Sequence, residues 1–142
     1  MDNAHYQITS EEDADPEDVH RVRQGLSEYN LKYAPEDNYH RVNLFIRDGN
    51  GEIAGGLLGE TFWRWLHVDI LWISDELRGQ GYGTHLIQTA EDQARQNGCL
   101  YSSLDTMDFQ ALPFYEKLGY SVFGVLEDMP PGHKRYFLRR TL

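Results

Sequence analysis

The 142-residue sequence contains a single cysteine, Cys99, and no long apolar run. One thiol cannot form an internal disulfide, so we expect a reducing, cytoplasmic setting and a fold stabilised by its core. A membrane helix needs about 18 consecutive apolar residues, and no stretch reaches that length, so no membrane partner is expected. The polar N-terminus, Met1 to Tyr6, likewise predicts no export signal.

Positive charge is also scarce. Lysine and arginine number 13 against 23 aspartates and glutamates, which gives a formal net charge of −10. Proteins that bind nucleic acid cluster basic residues against the phosphates, so no nucleic-acid partner is expected. The acidity mildly favours cationic substrates through long-range attraction, but solubility alone is the preferred explanation. The six histidines lack the spacing of metal ligands, so no metal site is predicted.

The length and the 40% hydrophobic content fit one domain, residues 1–142, with a packed core. Hydrophobic periodicity and turn residues predict strands and helices in mixed α/β order, βα-βββ-αβ-αββ. Helices are predicted from Asp15-Pro16 towards Pro35, over Thr84–Asn97, and over a short segment ending at Leu118. The predicted strands are His5–Thr9, Arg41–Arg47, Glu52–Thr61, Trp65–Ile73, Cys99–Asp105, Tyr120–Leu126 and Arg135–Arg140.

The most informative segment is a glycine-rich loop between a predicted strand and a predicted helix. Gly79, Gly81 and Gly83 allow several backbone N–H groups to point in one direction and a ligand to approach closely. At a helix N-terminus such a loop binds anions, most often phosphate. The pattern therefore predicts a phosphorylated ligand, with a turn that binds nothing as the simple alternative.

Two known nucleotide-binding motifs fit this loop poorly. A dinucleotide fingerprint needs G-x-G-x-x-G within repeated βαβ units, whereas the loop has G-x-G-x-G followed by Thr84. A P-loop is excluded because no Gly-Lys-Ser/Thr is present.

Two motifs instead match one family. Arg78-x-x-Gly81-x-Gly83 resembles the acyl-CoA signature of the GNAT N-acetyltransferase superfamily, and Phe114–Tyr120 resembles the superfamily's later helix and strand. The order and spacing of the two motifs also agree with that family. The resemblance implies a single α/β domain with a central, mostly antiparallel sheet and a splayed pair of strands. It further implies acetyl-CoA as co-substrate and direct attack by an amine in a ternary complex.

The resemblance also implies which residues bind acetyl-CoA. The strand before the loop would contact the pantetheine arm through its backbone, and the loop would bind the pyrophosphate through amides and the helix dipole. Asp108 stands where many family members have an asparagine near the cofactor; it could instead cap the short helix, and Gln110 is a weaker candidate. The proposed cofactor-binding residues are Leu71, Trp72, Ile73, Arg78, Gly79, Gln80, Gly81, Tyr82, Gly83, Thr84 and Asp108.

The resemblance implies one general acid, whereas several residues are candidates for the general base. Tyr115 stands at the motif position of the family's general acid. A phenol with a pKa of ~10 can protonate a leaving thiolate; a core role is the alternative. The base is predicted to be Asp69, then His67, with Asp105 as another possibility and surface or ion-pair roles as alternatives. Cys99 is not required as a nucleophile.

The expected acceptor is a primary amine of a small molecule. The alternatives are a protein N-terminal or lysine acetyltransferase and a non-catalytic acyl-CoA-binding module. The oligomeric state stays open, with a homodimer as one alternative by analogy with the family.

Overall fold

The computed structural model describes residues 5–142; residues 1–4 of the polar N-terminal segment lie outside the described residues. The chain forms two compact units, one ending at Glu36 and the other spanning Asp37–Leu142.

The first unit contains one helix, α1 (Pro16–Asn30), which begins as predicted. The Asp15 carboxylate caps it by accepting a hydrogen bond from the Glu17 amide at 2.9 Å, and Pro16 occupies the first turn. None of its residues is buried, and α1 ends at Asn30 in a short turn, before Pro35.

The strand predicted at His5–Thr9 is wrong. This segment has no regular structure, and the Tyr6 and Ile8 side chains are almost fully exposed. The alternation in its sequence is real, but a strand also needs a neighbour to pair its backbone groups. The first β of the predicted βα-βββ-αβ-αββ order is therefore absent from the described residues.

The second unit contains the remaining elements, each within about two residues of its predicted position except where noted below. A short 3-10 turn (Asp75–Leu77) follows the third strand. The elements are β1 (His40–Arg47), β2 (Ile53–Phe62), β3 (Trp65–Ile73), α2 (Tyr82–Gln96), β4 (Tyr101–Met107), α3 (Leu112–Lys117), β5 (Ser121–Glu127) and β6 (Lys134–Thr141).

The six strands form one sheet in the order β1-β2-β3-β4-β6-β5. All neighbours are antiparallel except β3 and β4, which run parallel over four residue pairs, from Trp65 opposite Tyr101 to Val68 opposite Leu104. Beyond Val68 the two strands no longer pair, although both continue. The splayed pair in a mixed α/β sheet is therefore confirmed.

A β-bulge in β3 coincides with the splay. Gly59 pairs with Val68 and Leu58 pairs with Ile70, so Asp69 has no opposite residue on β2. The bulge changes which alternate residues of β3 face the core. Before it Leu66 and Val68 point to the core, and after it Leu71 and Ile73 do. Gly59 permits this arrangement, since a Cβ atom there would collide with the His67 carbonyl oxygen.

The core lies between one face of the sheet and α2, whose predicted apolar residues Leu86, Ile87, Ala90 and Ala94 are buried. Cys99 is also buried, just before β4 and not within a strand as predicted. Burial raises the pKa of its thiol, which keeps the thiol protonated and agrees with a packing role.

A buried polar network on the same face was not predicted. The Tyr120 hydroxyl contacts Ser102 Oγ at 2.8 Å and donates to Glu91 Oε2 at 3.1 Å, while Arg140 Nη1 donates to Glu91 Oε2 at 3.0 Å. Arg140 also donates to the Leu118 carbonyl at 2.9 Å. The network joins α2, β4, β6 and the end of α3. Its one sequence signal is Glu91, a carboxylate on the apolar face of α2 that requires a partner.

Candidate active site

A cavity of about 920 Å³ opens where β3 and β4 separate. This first cavity is lined by the second half of β3, the glycine-rich loop, the start of α2, the end of β4, and α3. It therefore gathers the two motifs that the sequence analysis paired, which are 30 residues and more apart in the chain. Of the proposed residues, it is lined by Asp69, Leu71, Trp72, Ile73, Arg78, Gly79, Gly81, Tyr82, Gly83, Thr84 and Tyr115.

The loop presents unsatisfied backbone amides to this cavity. Gly79 and Gly81 have φ angles of +73° and +89°, a region that strains other residues. No side chain caps Gly81, and the first helical bond of α2 runs from the His85 amide to the Gly81 carbonyl. The amides of Tyr82, Gly83 and Thr84 thus have no backbone acceptor among the described residues, which is the arrangement that binds phosphate.

Arg78 shapes the loop. Its Nε donates to the Ile73 carbonyl at 3.3 Å and its Nη1 lies 3.2 Å from Asp75 Oδ1, yet the side chain remains 64% exposed. The guanidinium therefore supports the turn and still provides positive charge at the cavity mouth. Gln80 is not among the residues that line the cavity, and its side-chain amide donates to the Glu76 carbonyl at 2.8 Å.

Gly83 fixes how closely α2 approaches α3. A Cβ atom at this position would lie 3.1 Å from Phe114 Cζ and 3.3 Å from Ile73 Cδ1. Only glycine fits without moving those groups, so the start of α2 is held against the wall that carries Phe114 and Tyr115. Leu71 and Ile73 pack their side chains against the core, and after the splay their backbone edge towards β4 has no strand partner.

Tyr115 is the titratable group most enclosed by this cavity. Its side chain is 6% exposed, and its hydroxyl makes no hydrogen bond to any residue in the part of the chain that the structure describes. Burial, reinforced by the negative charge of Asp105, raises the pKa of Tyr115 to about 12. The phenol therefore stays protonated at neutral pH and can donate a hydrogen bond into the cavity.

The three candidate bases occupy different positions. Asp105 lines the cavity but is bound by Arg135, whose Nε and Nη2 each lie 2.8 Å from Asp105 Oδ1. That hydrogen bond raises the pKa of Arg135, and the nearby charge of Asp69 acts in the same direction. His67 does not line the first cavity. Asp69, on the bulge, lines the cavity and makes no ion pair of its own within the described residues.

Asp108 lies outside the cavity lining and contacts the residues at the start of β6. Its carboxylate is 2.8 Å from His133 Nδ1 and accepts a hydrogen bond from the Lys134 amide at 3.0 Å. Partial desolvation raises the pKa of Asp108, but these hydrogen bonds outweigh it and hold the pKa below its usual range. Gln110 does line the cavity, and its Oε1 accepts from the Met107 amide at 2.7 Å.

Several residues of the site were not anticipated. Arg135 neutralises Asp105, and Phe109 and Thr106 complete the wall next to Gln110. No local pattern marks Arg135, because the contact depends on the register between β4 and β6, which places Asp105 beside Phe137. The described residues contain no helix long and apolar enough to cross a bilayer. They also contain no cluster of three or more metal-binding side chains.

A second cavity, of about 420 Å³, lies over β1, β2 and β3. His67 lines it, together with Tyr39, Arg41 and Glu60. Asp69, at the bulge, lines both cavities and therefore borders both spaces. The sequence paired His67 with Asp69 on one strand face, but it did not predict this cavity.

Comparisons with known proteins agree with this arrangement. The profile of the Acetyltransferase (GNAT) family matches residues 5–120. The chain is 46% identical over 93 residues to Blasticidin-S acetyltransferase of Streptomyces morookaense, covering 65% of this chain and 68% of that protein. It is 35% identical over 127 residues to Acetyltransferase Atu2258 of Agrobacterium fabrum, covering 89% and 93% of the two chains.

A solved acetyltransferase structure from Agrobacterium tumefaciens superposes with a TM-score of 0.89 at 32% identity, over 96% of this chain and all of that one. GNAT acetyltransferases use acetyl-CoA as acetyl donor. With the profile spanning both motifs and the walls of the first cavity, the chain belongs to the GNAT family and is an acetyltransferase.

Proposed function

We propose that this protein transfers an acetyl group from acetyl-CoA to a primary amine of a small molecule by direct attack in a ternary complex. The observation that carries the proposal is the first cavity, where unsatisfied amides, the free Tyr115 hydroxyl and Asp69 face one space. The similarity to Blasticidin-S acetyltransferase supports a small-molecule acceptor.

Donor binding would use backbone more than side chains. The amides of Tyr82, Gly83 and Thr84, the dipole of α2 and the Arg78 charge would bind the pyrophosphate. The unpaired edge of Leu71–Ile73 would offer N–H and C=O groups to the pantetheine arm in the manner of an added strand. This geometry would hold the thioester between the bulge of β3 and Tyr115.

The chemical step needs two proton movements. The amine nitrogen forms a bond to the acetyl carbon, the carbon–sulfur bond breaks, and the nitrogen loses a proton. Asp69 would accept that proton, directly or through water, because attack makes the nitrogen cationic and more acidic. Tyr115 would donate a hydrogen bond, and finally a proton, to the leaving sulfur. His67, which lines the second cavity, is the alternative base, and Asp108 and Gln80 stay proposed cofactor contacts outside the lining of the first cavity.

Calorimetric titration with acetyl-CoA, with NAD as comparison, tests the donor. We expect saturable binding of acetyl-CoA and none of NAD. Release of free CoA thiol in the presence of small primary amines then tests transfer. Binding without turnover for any small amine or amine-bearing peptide would favour a non-catalytic acyl-CoA-binding module. Turnover with peptides alone would favour a protein N-terminal or lysine acetyltransferase.

A cytoplasmic location is part of the same proposal, because a single buried thiol suits a reducing compartment. A homodimer is proposed by analogy with the family, and sedimentation analysis would test it.

A further inference from the structure

We propose that the second cavity selects acceptors that carry a second cationic group, and that Glu60 binds this group. The inference rests on the proposed function, because it assigns the distal part of the same amine substrate. Glu60 would be a specificity-determining residue, and the reacting amine would lie at Asp69, the residue that borders both cavities.

Glu60 is held in position by a hydrogen bond and forms no ion pair with any described residue. The Tyr39 hydroxyl donates to Glu60 Oε2 at 2.9 Å, which fixes the carboxylate and leaves Oε1 available. Glu60 is half-buried, and among the described residues no basic side chain lies within salt-bridge distance of it. A half-buried carboxylate of this kind gains most from a cation that brings its own N–H donors.

The strand register sets the separation of the two carboxylates. Glu60 on β2 is opposite His67 on β3, and Asp69 follows His67 by two residues. Diagonal neighbours of this kind on paired strands lie about 7–8 Å apart, so the two carboxylates suit cationic nitrogens a similar distance apart. A five-carbon diamine spans this distance. The Asp69 bulge makes the fit possible, because it places one carboxylate at the boundary of both cavities.

Arg41 also lines the second cavity. Because Arg41 and Glu60 carry opposite charges, acceptors whose distal groups differ in charge can test the proposal. It is the residue opposite Glu60 on β1, it is exposed, and no described residue forms an ion pair with it. A distal ammonium would be attracted by Glu60 and repelled by Arg41, whereas a distal carboxylate would show the reverse. We favour the ammonium because Glu60 is fixed by Tyr39, whereas no bond holds Arg41, and because the whole chain carries a net charge of −10.

The experiment compares three acceptors of equal length: cadaverine with a distal ammonium, pentylamine with a methyl group, and δ-aminovalerate with a carboxylate. Acetyl transfer from acetyl-CoA is followed as kcat/KM for each. We expect the wild type to prefer cadaverine over pentylamine by about tenfold, the effect of one charge-assisted hydrogen bond. Glu60→Gln, which keeps an acceptor for Tyr39, should bring that ratio close to one through KM. Arg41→Gln should raise the ratio.

Glu52→Gln is the matched control, because Glu52 is an exposed glutamate in the turn before β2 and lies outside both cavities. Its ratio should equal that of the wild type. Equal rates for cadaverine and pentylamine in the wild type would overturn the inference while leaving the proposed function intact. A preference for δ-aminovalerate that Arg41→Gln abolishes would overturn it as well.

If no amine is acetylated although acetyl-CoA binds, the proposed function fails, and the inference is then decided by binding alone. Cadaverine titrated into the CoA-saturated protein should bind more tightly than pentylamine, and Glu60→Gln should remove the difference. Absence of that difference in the wild-type protein would refute a cation site at Glu60.

Discussion

The two cavities that Asp69 borders are lined by different groups. The first is lined at the start of α2 by glycines and backbone amides, whereas the second is lined mainly by polar and charged side chains near and on three strands. Backbone donors offer the same chemistry whatever the neighbouring side chains are, but side-chain charges can change one residue at a time. The difference suggests that the first cavity serves the shared donor of the family and the second the acceptor of this protein.

The largest expected effect comes from a substitution in the glycine-rich loop that lines the first cavity. Gly81→Asp places bulk and negative charge where the α2 amides would bind pyrophosphate, and we expect acetyl-CoA to bind about a hundredfold more weakly. Calorimetry would measure the change.

Gly51→Asp provides a matched control, because Gly51 also has a positive φ, of +80°, and open space around it, but lies in the β1–β2 turn. It should strain the backbone to the same degree without weakening acetyl-CoA binding. Equal loss in both variants would mean that strain, and not the anion site, explains the result.

Next in size is the proton donor of the first cavity. Tyr115→Phe removes a hydroxyl with no other hydrogen-bond partner among the described residues, so we expect kcat to fall about a hundredfold with little change in acetyl-CoA affinity. Steady-state kinetics and calorimetry would separate the two.

Tyr120→Phe is the comparison, since that hydroxyl contacts Ser102 and Glu91 in the buried network and lies away from the cavity lining. It should lower the free energy of unfolding more than Tyr115→Phe does. A Tyr115→Phe enzyme with the wild-type kcat would remove the tyrosine from the mechanism.

The pH dependence of stability is expected to be smaller but distinctive. Burial raises the pKa of Tyr115 from 10 to about 12, so the unfolded chain ionises first as pH rises. The corresponding stability is fully present below pH 10 and is lost between about pH 10 and 12, amounting to about 2–3 kcal/mol.

Urea unfolding across this range should show the loss, and Tyr115→Phe should reduce it. Tyr120 contributes in the same direction, because burial raises its pKa as well. A flat profile would mean that the Tyr115 ring is well hydrated, which would weaken the case for an enclosed donor.

The smallest expected effect is at Ser74, which lies between β3 and the 3-10 turn that precedes the glycine-rich loop. Ser74 Oγ is buried with no hydrogen-bond partner among the described residues. Ser74→Ala removes that unsatisfied group and should raise the free energy of unfolding by about 1 kcal/mol without changing acetyl-CoA affinity. Ser102→Ala, which removes a contact of the Tyr120 hydroxyl, should lower stability instead. A weakened affinity in Ser74→Ala would show that this side chain, and not only backbone, builds the first cavity.

Prediction from sequence succeeded where chemistry is local. The positive φ angles of Gly79 and Gly81, the Asp15 cap of α1 and the termination of α2 shortly before Gly98 all follow from neighbouring residues. The predicted strand positions were also close to the observed ones, because the apolar alternation of β1 to β3 is visible in the sequence itself. The splay of β3 from β4 came from the family resemblance, not from periodicity.

The failures concern contacts between distant segments. The pairing of Asp105 with Arg135 depends on strand register, and the Asp69 bulge depends on how Gly59 meets the His67 carbonyl. The predicted strand at His5–Thr9 failed for the converse reason, since a local pattern was present without a partner. The second cavity combines three strands, so no single stretch of sequence indicates it.

The four-residue contact between β3 and β4 has a consequence for cooperativity. Apart from Trp65–Val68 and its partners, no strand pairing joins the β1–β3 half of the sheet to the β4–β6 half. A ligand in the first cavity would touch both halves, and at a hundred times its Kd it would add about 2.7 kcal/mol to stability. We therefore expect the amide hydrogens that pair β2 with β3 to exchange on a subglobal pathway in the empty protein and to exchange with the whole domain once acetyl-CoA is bound.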